Sequence, residues 1–419
     1  PEDVIKEAQE KLADFYGADA SYFLVNGSTV GNLAMIYATC RAGDVVIVQR
    51  NAHKSIFNAL ELVDARPILL TPEWDELTAS IGVVSEEQVK RALILYPEAK
   101  AVVLTYPTYY GTTGNSLEGI ISICHARKIP VLVDEAHGAH FVIGEPFPQS
   151  ALTLGADIVV HSAHKTLPAM TMGSYLHIKS SLVPKERVEK YLQMLQSSSP
   201  SYLLMASLDD ARAYAESYTK KDLASFLRTR EDFIQQLSEI EYAEVIPSND
   251  PLKLMIRAEK YTGFQLLEAL EREGVYAELA DPYQVLFILP LLKETHIYER
   301  SKIIYKIQRA VEWLCETEGQ IKAILPSNLT REIAELCYNR EELEQFQSGW
   351  LYYEEAIGKV VAAPIIPYPP GIPILLAGER VRKEDVELLV ALTNMNASFQ
   401  GAICTKEKQI LVVMNEVGE

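Results

Sequence analysis

The stretch Ser162-Ala163-His164-Lys165-Thr166 follows an apolar run, residues 156–160, that is typical of a buried strand. A second apolar run, residues 129–133, ends at Asp134, upstream of Lys165. Parallel strands bring the residues at their C-terminal ends to one edge of a sheet, where open α/β sheets bind ligands. The two runs therefore predict an α/β fold in which Asp134 and Lys165 share one crevice of a mostly parallel sheet.

A carboxylate and a lysine at one sheet edge are the two groups that pyridoxal phosphate requires from a protein. The lysine amine binds the cofactor covalently, and the aspartate keeps a proton on the pyridine nitrogen, so that the ring can withdraw electrons. We therefore predict Lys165 and Asp134 as catalytic residues of an enzyme that forms a carbanion at a substrate's α-carbon. The alternative is a strand-end aspartate and a solvated surface lysine. The pair does not distinguish a decarboxylase from an aminotransferase, an aldolase or a racemase.

Composition narrows the class of protein. The chain has 419 residues, which favours two or three domains, and its 48% hydrophobic and 23% charged residues are typical of a soluble globular protein. A net charge of −18 argues against a nucleic-acid partner, because phosphates are bound by clustered Lys and Arg. No apolar run is long enough for a membrane span. The five cysteines are scattered without a CxxC pair, which predicts reduced thiols, no metal site and a cytoplasmic protein.

Strands and helices alternate along the first part of the chain. Strands are expected at 22–25, 45–48, 66–70, 101–105, 130–134 and 157–161, and helices at 2–16, 30–41, 52–63, 85–95 and 116–127. This alternation predicts a mostly parallel sheet covered by helices on both faces. We assign residues 1–195 to this large, cofactor-binding domain.

The rest of the chain is predicted to form two further regions. The stretch Gln196-Ser197-Ser198-Ser199-Pro200-Ser201 is a break in composition and a candidate hinge. Residues 196–320 are expected to form a smaller α+β domain, with a helix or helix pair at 202–240 and a strand–helix–strand unit over 253–290. Residues 321–419, which several prolines interrupt, are assigned to a C-terminal domain.

Groups near the predicted sheet edge are candidates for binding the cofactor's phosphate. Gly27-Ser28-Thr29 lies between a strand and a helix, so its N–H groups and hydroxyls would face an anion at the helix N-terminus. Ser162 and His164 lie close to Lys165 and would add donors. The alternatives are an ordinary turn with N-cap hydroxyls, a turn serine and a packing imidazole.

Other residues are candidates for contacts with the cofactor ring. The flat imidazole of His53, after another predicted strand, is expected to lie on the ring, and the small Ala136 lets the opposite face of the ring approach the sheet. Thr105 ends a predicted strand and is expected near the ring's hydroxyl. His137 is assigned to the cofactor site as a supporting residue, and His140 to the structural core. A surface role for His53 and a structural role for Thr105 are the alternatives.

Further motifs accompany those around Asp134 and Lys165. The full set is Asn26-Gly27-Ser28-Thr29, Arg50-Asn51-Ala52-His53-Lys54-Ser55, Tyr106-Pro107-Thr108-Tyr109-Tyr110-Gly111, Asp134-Glu135-Ala136-His137-Gly138-Ala139-His140, Ser162-Ala163-His164-Lys165, Ser199-Pro200-Ser201-Tyr202 and Tyr368-Pro369-Pro370-Gly371-Ile372-Pro373. This combination, which spans nearly the whole chain, resembles the class-I ornithine/lysine/arginine decarboxylases. Those enzymes use pyridoxal phosphate and have the aspartate-aminotransferase-like fold (fold type I). The resemblance implies that residues 321–419 are the C-terminal domain of that family.

The resemblance also implies roles for individual residues. Lys165 resembles the lysine that binds the cofactor covalently, Asp134 the partner of the pyridine nitrogen, and His53 the histidine stacked on the ring. The residues that resemble the family's phosphate site are Ser28, Thr29, Ser162 and His164.

Two features of the family concern the ends and the assembly of the chain. Long members carry an N-terminal wing domain, so this sequence resembles the short form found in Gram-positive bacteria. Family members also have a Pro-Gly-His-Lys element upstream of the position of Pro1, so the numbered sequence is expected to begin inside a longer polypeptide.

Related enzymes are dimers with shared sites, which implies a homodimer or higher homo-oligomer. Ser199, Pro200 and Ser201 are candidates for reaching the neighbour's cofactor.

The activity implied by the resemblance is decarboxylation of a basic L-amino acid (arginine, lysine or ornithine) to CO2 and the corresponding amine, a polyamine or polyamine precursor. Glu278 and Asp281 are candidates for binding the substrate's distal cation, against the alternative of solvated surface acids. Two other functions stay open, namely another pyridoxal-phosphate enzyme such as an aminotransferase, and a catalytically silent protein of the same fold kept for regulation. The presence of both Lys165 and Asp134 disfavours the silent protein.

Overall fold

The computed structural model describes residues 3–296, 299–317, 332–368 and 371–415. Its helices are α1 (Asp3–Tyr16), α2 (Gly27–Thr39), α3 (Lys54–Leu62), α4 (Glu86–Leu95), α5 (Leu117–His125), α6 (Ala163–Thr166), α7 (Lys185–Leu195), α8 (Tyr202–Glu216), α9 (Lys220–Ser238), α10 (Gly263–Arg272), α11 (Arg300–Cys315), α12 (Arg340–Gln345) and α13 (Lys383–Asn394), with a 3-10 helix at Ala139–Ile143. Its strands are β1 (Ala20–Leu24), β2 (Val45–Gln49), β3 (Arg66–Leu70), β4 (Trp74–Asp75), β5 (Ser80–Ile81), β6 (Ala101–Thr105), β7 (Val131–Asp134), β8 (Ile158–His161), β9 (Ser174–Ile178), β10 (Ala243–Pro247), β11 (Lys253–Ala258), β12 (Leu279–Ala280), β13 (Val285–Ile288), β14 (Ile333–Glu335), β15 (Ser348–Tyr352), β16 (Ile365–Pro367), β17 (Phe399–Gly401), β18 (Ile403–Cys404) and β19 (Gln409–Val413).

The largest sheet has the strand order β1-β9-β8-β7-β6-β2-β3-β14. The pairs from β8 through β7, β6 and β2 to β3 are parallel, which confirms the predicted mostly parallel sheet. These central strands are rich in Val, Ile and Leu because helices cover both of their faces. Helices α1, α4, α5 and α8 pack on one face, and α2, α3 and α7 pack on the other.

Two strands of this sheet did not show in the apolar pattern. The strand β9 is fully buried although it contains Ser174 and His177, and it pairs antiparallel with both β1 and β8. Its polar character is tolerated because His177 hydrogen-bonds to Ser21 and His161 in the core. The edge strand β14 comes from the C-terminal part of the chain and pairs antiparallel with β3.

Smaller sheets form the rest of the described chain. The strands β10, β11, β13 and β12 form an antiparallel sheet whose apolar core includes residues of α9, α10 and α11. The strands β15, β19 and β18 form a third sheet, and α13 packs into the same core. The predicted domain boundary at residues 320–321, and Pro369 and Pro370 of the C-terminal motif, lie outside the described residues.

No helix within the described residues combines the length and the apolar character needed to cross a lipid bilayer.

Candidate active site

The C-terminal ends of β6, β7 and β8 meet at one edge of the large sheet. In this parallel ladder Thr105 is paired with Asp134, and Asp134 with Val160. The chain leaves β8 directly into the short helix α6, which contains Lys165. Thr105, Asp134 and Lys165 are therefore brought together from three separate segments of the chain.

Asp134 is a buried carboxylate with two fixed hydrogen bonds. Its Oδ2 accepts from Asn32 Nδ2 at 2.9 Å, and its Oδ1 accepts from the backbone N–H of Ala136 at 3.2 Å. Asn32 belongs to α2, which packs against the sheet, so the amide is held rigidly. These bonds leave lone pairs on both oxygens, because an ionised carboxylate can accept about four hydrogen bonds. The carboxylate can thus hold a proton on a neighbouring ring nitrogen.

Lys165 has its amine among aromatic and imidazole groups. Its Nζ lies 3.0 Å from His137 Nε2 and 5.4 Å from the centre of the Tyr109 ring. Burial lowers the pKa of Lys165, and the carboxylates of Asp134 and Glu278 oppose that shift only in part. A lysine with a lowered pKa is present as the free amine to a larger extent, and the free amine is the form that attacks a carbonyl carbon.

His53 caps the N-terminus of α3 and faces the same crevice. Its Nδ1 accepts hydrogen bonds from the Ser55 hydroxyl at 2.8 Å and from the Ser55 N–H at 3.3 Å, so the ring proton is on Nε2. The same Ser55 hydroxyl accepts from Asn32, which links His53 to Asp134 through two side chains. Burial lowers the pKa of His53, while Asp134 raises it and Lys165 lowers it. The imidazole is therefore neutral and in a fixed orientation beside both groups.

The candidate phosphate residues come together at the first turn of α2. Gly27 has a φ of +77°, a conformation that favours glycine, and it starts the helix with Ser28 and Thr29. The Ser162 hydroxyl donates to the Ser28 hydroxyl at 2.8 Å, so the loop before Lys165 is tied to this helix turn. Thr29 is exposed beside them.

His164 points elsewhere than the other phosphate candidates. Both its Nδ1 and its backbone N–H lie within hydrogen-bond distance of the Gly173 carbonyl, at 3.0 and 3.2 Å. Burial lowers the pKa of the half-buried imidazole, and the Gly173 carbonyl opposes that shift. The His164 ring therefore ties α6, which contains Lys165 and is called the lysine helix below, to the loop before β9.

The described residues fit pyridoxal phosphate. The Thr105 hydroxyl is buried at the strand end and has no hydrogen-bond partner among the described residues, although a buried hydroxyl normally has one. Its strand neighbour Asp134 is a carboxylate suited to a pyridine nitrogen. The described residues also offer a lysine with a lowered pKa and a helix N-terminus with two hydroxyls. Thr105 also lines a mainly apolar cavity of about 320 Å³, together with Tyr109, Asp281 and Tyr368.

The two acidic candidates for substrate binding differ in their surroundings. Glu278 is exposed, and its carboxylate interacts electrostatically with Lys165, Lys253 and His164. Among the described residues its side chain has no hydrogen-bond donor within range. Asp281 is instead engaged on both oxygens: Oδ1 accepts from the N–H groups of Tyr283 and Gln284, and Oδ2 accepts from the Tyr110 hydroxyl at 2.6 Å.

The Ser-rich stretch after α7 is held against the phosphate turn. Gln196 Oε1 accepts from the N–H of Val25, and the N–H of Ser197 donates to Asn26 Oδ1. Ser201 caps the N-terminus of α8 by accepting from the N–H of Leu204. Ser199 and Ser201 are exposed and Pro200 is half-buried, so their proposed contact with a neighbouring subunit stays a prediction.

Several site residues were not singled out from the sequence. Asn32 is a polar residue on the buried face of α2, and Tyr109 lies within one of the quoted motifs without an assigned role. Lys253 is fully buried, with its Nζ 3.0 Å from His137 Nδ1. The presence of a lysine in the apolar strand Lys253–Ala258 could have marked it as a candidate site residue, because a buried lysine needs a specific partner.

The C-terminal part of the chain approaches the same crevice. The amine of Lys54, next to His53, lies 5.7 Å from the centre of the Tyr368 ring. A side chain built on Gly371 would contact both the Tyr368 ring and the His53 ring, at 3.5 and 3.7 Å. Tyr368 and Gly371 therefore lie against His53 and Lys54 on one side of the crevice.

Comparisons with known proteins agree with this geometry. Residues 1–253 match the family described as Orn/Lys/Arg decarboxylase, major domain, and residues 335–404 match the C-terminal domain of the same family. The chain is 47% identical to the uncharacterized protein YaaO of Bacillus subtilis (strain 168), over 99% of this chain and 87% of that protein. It is 34% identical to an arginine decarboxylase of Bacillus subtilis (strain 168), over 96% of this chain and 84% of the enzyme.

The fold has a counterpart among solved structures. The crystal structure of the Francisella novicida lysine decarboxylase LdcF superposes with a TM-score of 0.78 at 19% sequence identity, covering 99% of this chain and 72% of that chain. This similarity confirms the predicted fold type I architecture.

Proposed function

The chain belongs to the Orn/Lys/Arg decarboxylase family, and we propose that its substrate is a basic L-amino acid, released as CO2 and the corresponding amine. The protein is an amino-acid decarboxylase, and pyridoxal phosphate is its cofactor. The observation that carries the choice of substrate is the exposed carboxylate of Glu278, whose charge acts on the amine of Lys165. The amine product would be a polyamine or a polyamine precursor.

The residues of the crevice have distinct proposed tasks. When bound, pyridoxal phosphate withdraws electrons from the bonds to the substrate's α-carbon. The amine of Lys165 attaches the cofactor, and Asp134 holds a proton on the pyridine nitrogen. His53 orients the ring, Thr105 donates to an oxygen at its edge, and Ser28, with Thr29 and Ser162, binds the phosphate.

The counter-charge for the substrate is proposed to be Glu278 rather than Asp281. A cationic side chain that enters a partly desolvated site needs a fixed anion, since an unpaired buried charge is costly. Both oxygens of Asp281 already accept hydrogen bonds from its own turn and from Tyr110. Glu278 precedes β12 directly, and its backbone N–H is bonded to the Leu286 carbonyl at 2.9 Å. The strand pairing thus fixes the backbone of Glu278 and leaves its carboxylate for a ligand.

The first expected result concerns the product. Incubation with arginine, lysine and ornithine in parallel should release CO2 and the matching amine from one of them at least about tenfold faster than from the others, because a pocket of given length discriminates by about 1–3 kcal/mol per methylene. Amine and CO2 are measured together, with the protein lacking cofactor as the blank. A 2-oxo acid as the main product, without CO2, would identify an aminotransferase instead.

The second expected result concerns Glu278. Replacing Glu278 with Gln removes the charge but keeps the shape. KM for the basic amino acid should therefore rise about tenfold or more while kcat stays nearly unchanged, the pattern expected when ground state and transition state lose the same binding energy. Steady-state kinetics test this, with absorbance as the check that cofactor binding is intact. Glu271→Gln, at an exposed position on α10, is the matched control and should leave KM as it is. An unchanged KM for Glu278→Gln would place the counter-charge elsewhere.

We further propose that the working unit is at least a homodimer. Met170, Met172, Tyr202 and Leu203 are exposed apolar side chains close to the lysine helix. The two segments adjoin each other, because the N–H of Met170 donates to the hydroxyl of Ser207 on α8. Exposed apolar residues grouped in this way are typical of subunit contacts.

A further inference from the structure

Lys253 is a fully buried lysine to which the proposed function assigns no role. Its Nζ lies 3.0 Å from His137 Nδ1, and the opposite ring nitrogen, Nε2, lies 3.0 Å from Lys165 Nζ. A single imidazole therefore bridges the two lysines. The ring of Tyr109 packs against the same imidazole, with 4.8 Å between ring centres.

The fold makes room for Lys253 at a specific place. Gly111, which has a φ of +84°, lies against it: a side chain built on this glycine would come within 2.8 Å of Lys253 Cγ and 3.0 Å of Asp250 Cβ. Asp250 is also fully buried and lies three residues before the lysine. The absence of a side chain at Gly111 thus allows an aspartate and a lysine to be buried together next to His137.

The donor and acceptor count of the bridge limits its protonation states. Burial and the two lysines lower the pKa of His137 well below its ordinary value, so the imidazole is neutral and has one N–H donor and one acceptor nitrogen. An ammonium group has donors only. Both hydrogen bonds can therefore form only if one lysine donates to His137 and the other, as a free amine, accepts from it.

A buried carboxylate lies close to Lys253 in the chain. The buried carboxylate of Asp250 accepts from His140 Nε2 at 2.9 Å, but His140 Nδ1 has no partner among the described residues. Asp250 and Glu278 both raise the pKa of Lys253 against the effect of its burial, and we assign the charge of the bridge to Lys253.

We propose that Lys253 is a positioning residue that keeps Lys165 as a free amine. The Lys253 ammonium donates to His137 Nδ1, which fixes the ring proton on Nε2, and Nε2–H donates to the lone pair of Lys165 Nζ. The amine nitrogen can then bond to the cofactor's aldehyde carbon, while the aldehyde oxygen leaves as water with the two amine hydrogens. The inference rests on the proposed role of Lys165 as the cofactor-binding lysine.

Other charged and titratable groups also face the bridge. Asp134 from β7 and Glu278 from the turn before β12 raise the pKa of Lys165, and the histidines His53 and His140 lower that of His137. Burial is the largest influence on Lys253 and lowers its pKa to about 8, against the opposing charges of Asp250 and Glu278. The bridge is accordingly expected to hold near neutral pH and to weaken towards pH 8, where half of the Lys253 side chains have lost their proton.

The first test reads the tautomer of His137 directly in the full chain freed of cofactor. Nitrogen NMR of protein labelled with 15N-histidine distinguishes the Nε2–H, Nδ1–H and doubly protonated forms, and comparison with His137→Gln assigns the signal. We expect the Nε2–H form at pH 7. The Nδ1–H form, or a doubly protonated ring, would overturn the proposal. This measurement needs no substitution at Lys253. It therefore tests the proposal even if the Lys253 variants fail to fold.

The second test measures the amine of Lys165. In the same cofactor-free chain, trace acetic anhydride labels free amines, and mass spectrometry gives the pH of half-maximal reactivity for Lys165. Lys253→Met should raise that pH by about one unit or more, a tenfold loss of free amine at neutral pH. Lys253→Gln, which still donates a hydrogen bond to Nδ1, should shift it by less than half as much.

The controls separate this inference from the proposed function. Lys179→Met, at an exposed lysine, should leave the reactivity of Lys165 unchanged. An unchanged pH of half-maximal Lys165 reactivity in Lys253→Met would overturn the positioning role. Equal shifts of that pH in the Met and Gln variants would overturn it as well. Cofactor attachment to Lys165 is established independently by reductive trapping, so its failure would contradict the proposed function and not the hydrogen-bonded bridge.

Discussion

Lys165→Ala is expected to reduce decarboxylation by at least about a thousandfold, or about 4 kcal/mol in the activation free energy. The variant loses the amine that attaches the cofactor and that lies 3.0 Å from His137 in the crevice. Its fold should persist, because Lys165 is a burial cost in the wild-type protein and an alanine at this position of α6 removes that cost. Turnover is measured by CO2 release at saturating cofactor, with circular dichroism as the check on folding.

Reductive trapping makes the same expectation specific to one residue. Borohydride treatment of the cofactor-loaded wild-type protein, followed by peptide mapping, should place the pyridoxyl group on Lys165 alone. Lys179→Ala, at an exposed lysine, is the matched control and should be labelled and active like the wild-type protein. A pyridoxyl group on any other lysine would show that the assignment of Lys165 is wrong.

Asp134→Asn should lower turnover by about a hundredfold or more while some cofactor stays bound. An amide cannot stabilise a proton on the pyridine nitrogen as a carboxylate does, and the loss of one charge-assisted partner costs a few kcal/mol in the transition state. The side chain keeps its size, so the packing of β7 should be preserved. The readouts are kcat, and the absorbance and affinity of the bound cofactor.

A second buried aspartate provides the contrast. Asp157, which precedes β8 and lies away from the crevice, accepts hydrogen bonds from the N–H of Val131 and from His125 and Ser180. Asp157→Asn should therefore lower the melting temperature with kcat nearly unchanged. Asp134→Asn should instead lower kcat with the melting temperature nearly unchanged. Near-normal turnover in Asp134→Asn would mean that another group is the partner of the ring nitrogen.

The sequence predicted well where the signal was local. Apolar runs of four to five residues mark β2, β3, β6, β7 and β8 within one or two residues, because strands buried on both faces must be apolar throughout. The strand β9 was missed because Ser174 and His177 interrupt its apolar character. Their partners, Ser21 and His161, lie on other strands, so no local pattern reveals that these polar groups are satisfied.

The candidate site shows the same division. Strand ends and motifs pointed to Asp134, His53 and Lys165, because each follows directly after a recognisable strand. Lys253 gave only a weak signal, since its side chain contacts His137, which is 116 positions away in the chain. Similarly, nothing local distinguishes Glu278 from Asp281, although the charge of Glu278 acts on Lys165 and the carboxylate of Asp281 is held by Tyr110.

By itself the sequence determined the class of fold, the segments that form the parallel strands and the residues at which those strands end. Hydrophobic periodicity and motif chemistry are local properties, so they can be recognised without the tertiary structure. Only the tertiary structure decided which groups meet: the two lysines on either side of the His137 ring, the Tyr110 hydroxyl on the carboxylate of Asp281, and the strand β14 at the edge of the large sheet. Such contacts join residues far apart in the chain. Their energies depend on burial and on paired charges, and these exist only once the chain has folded.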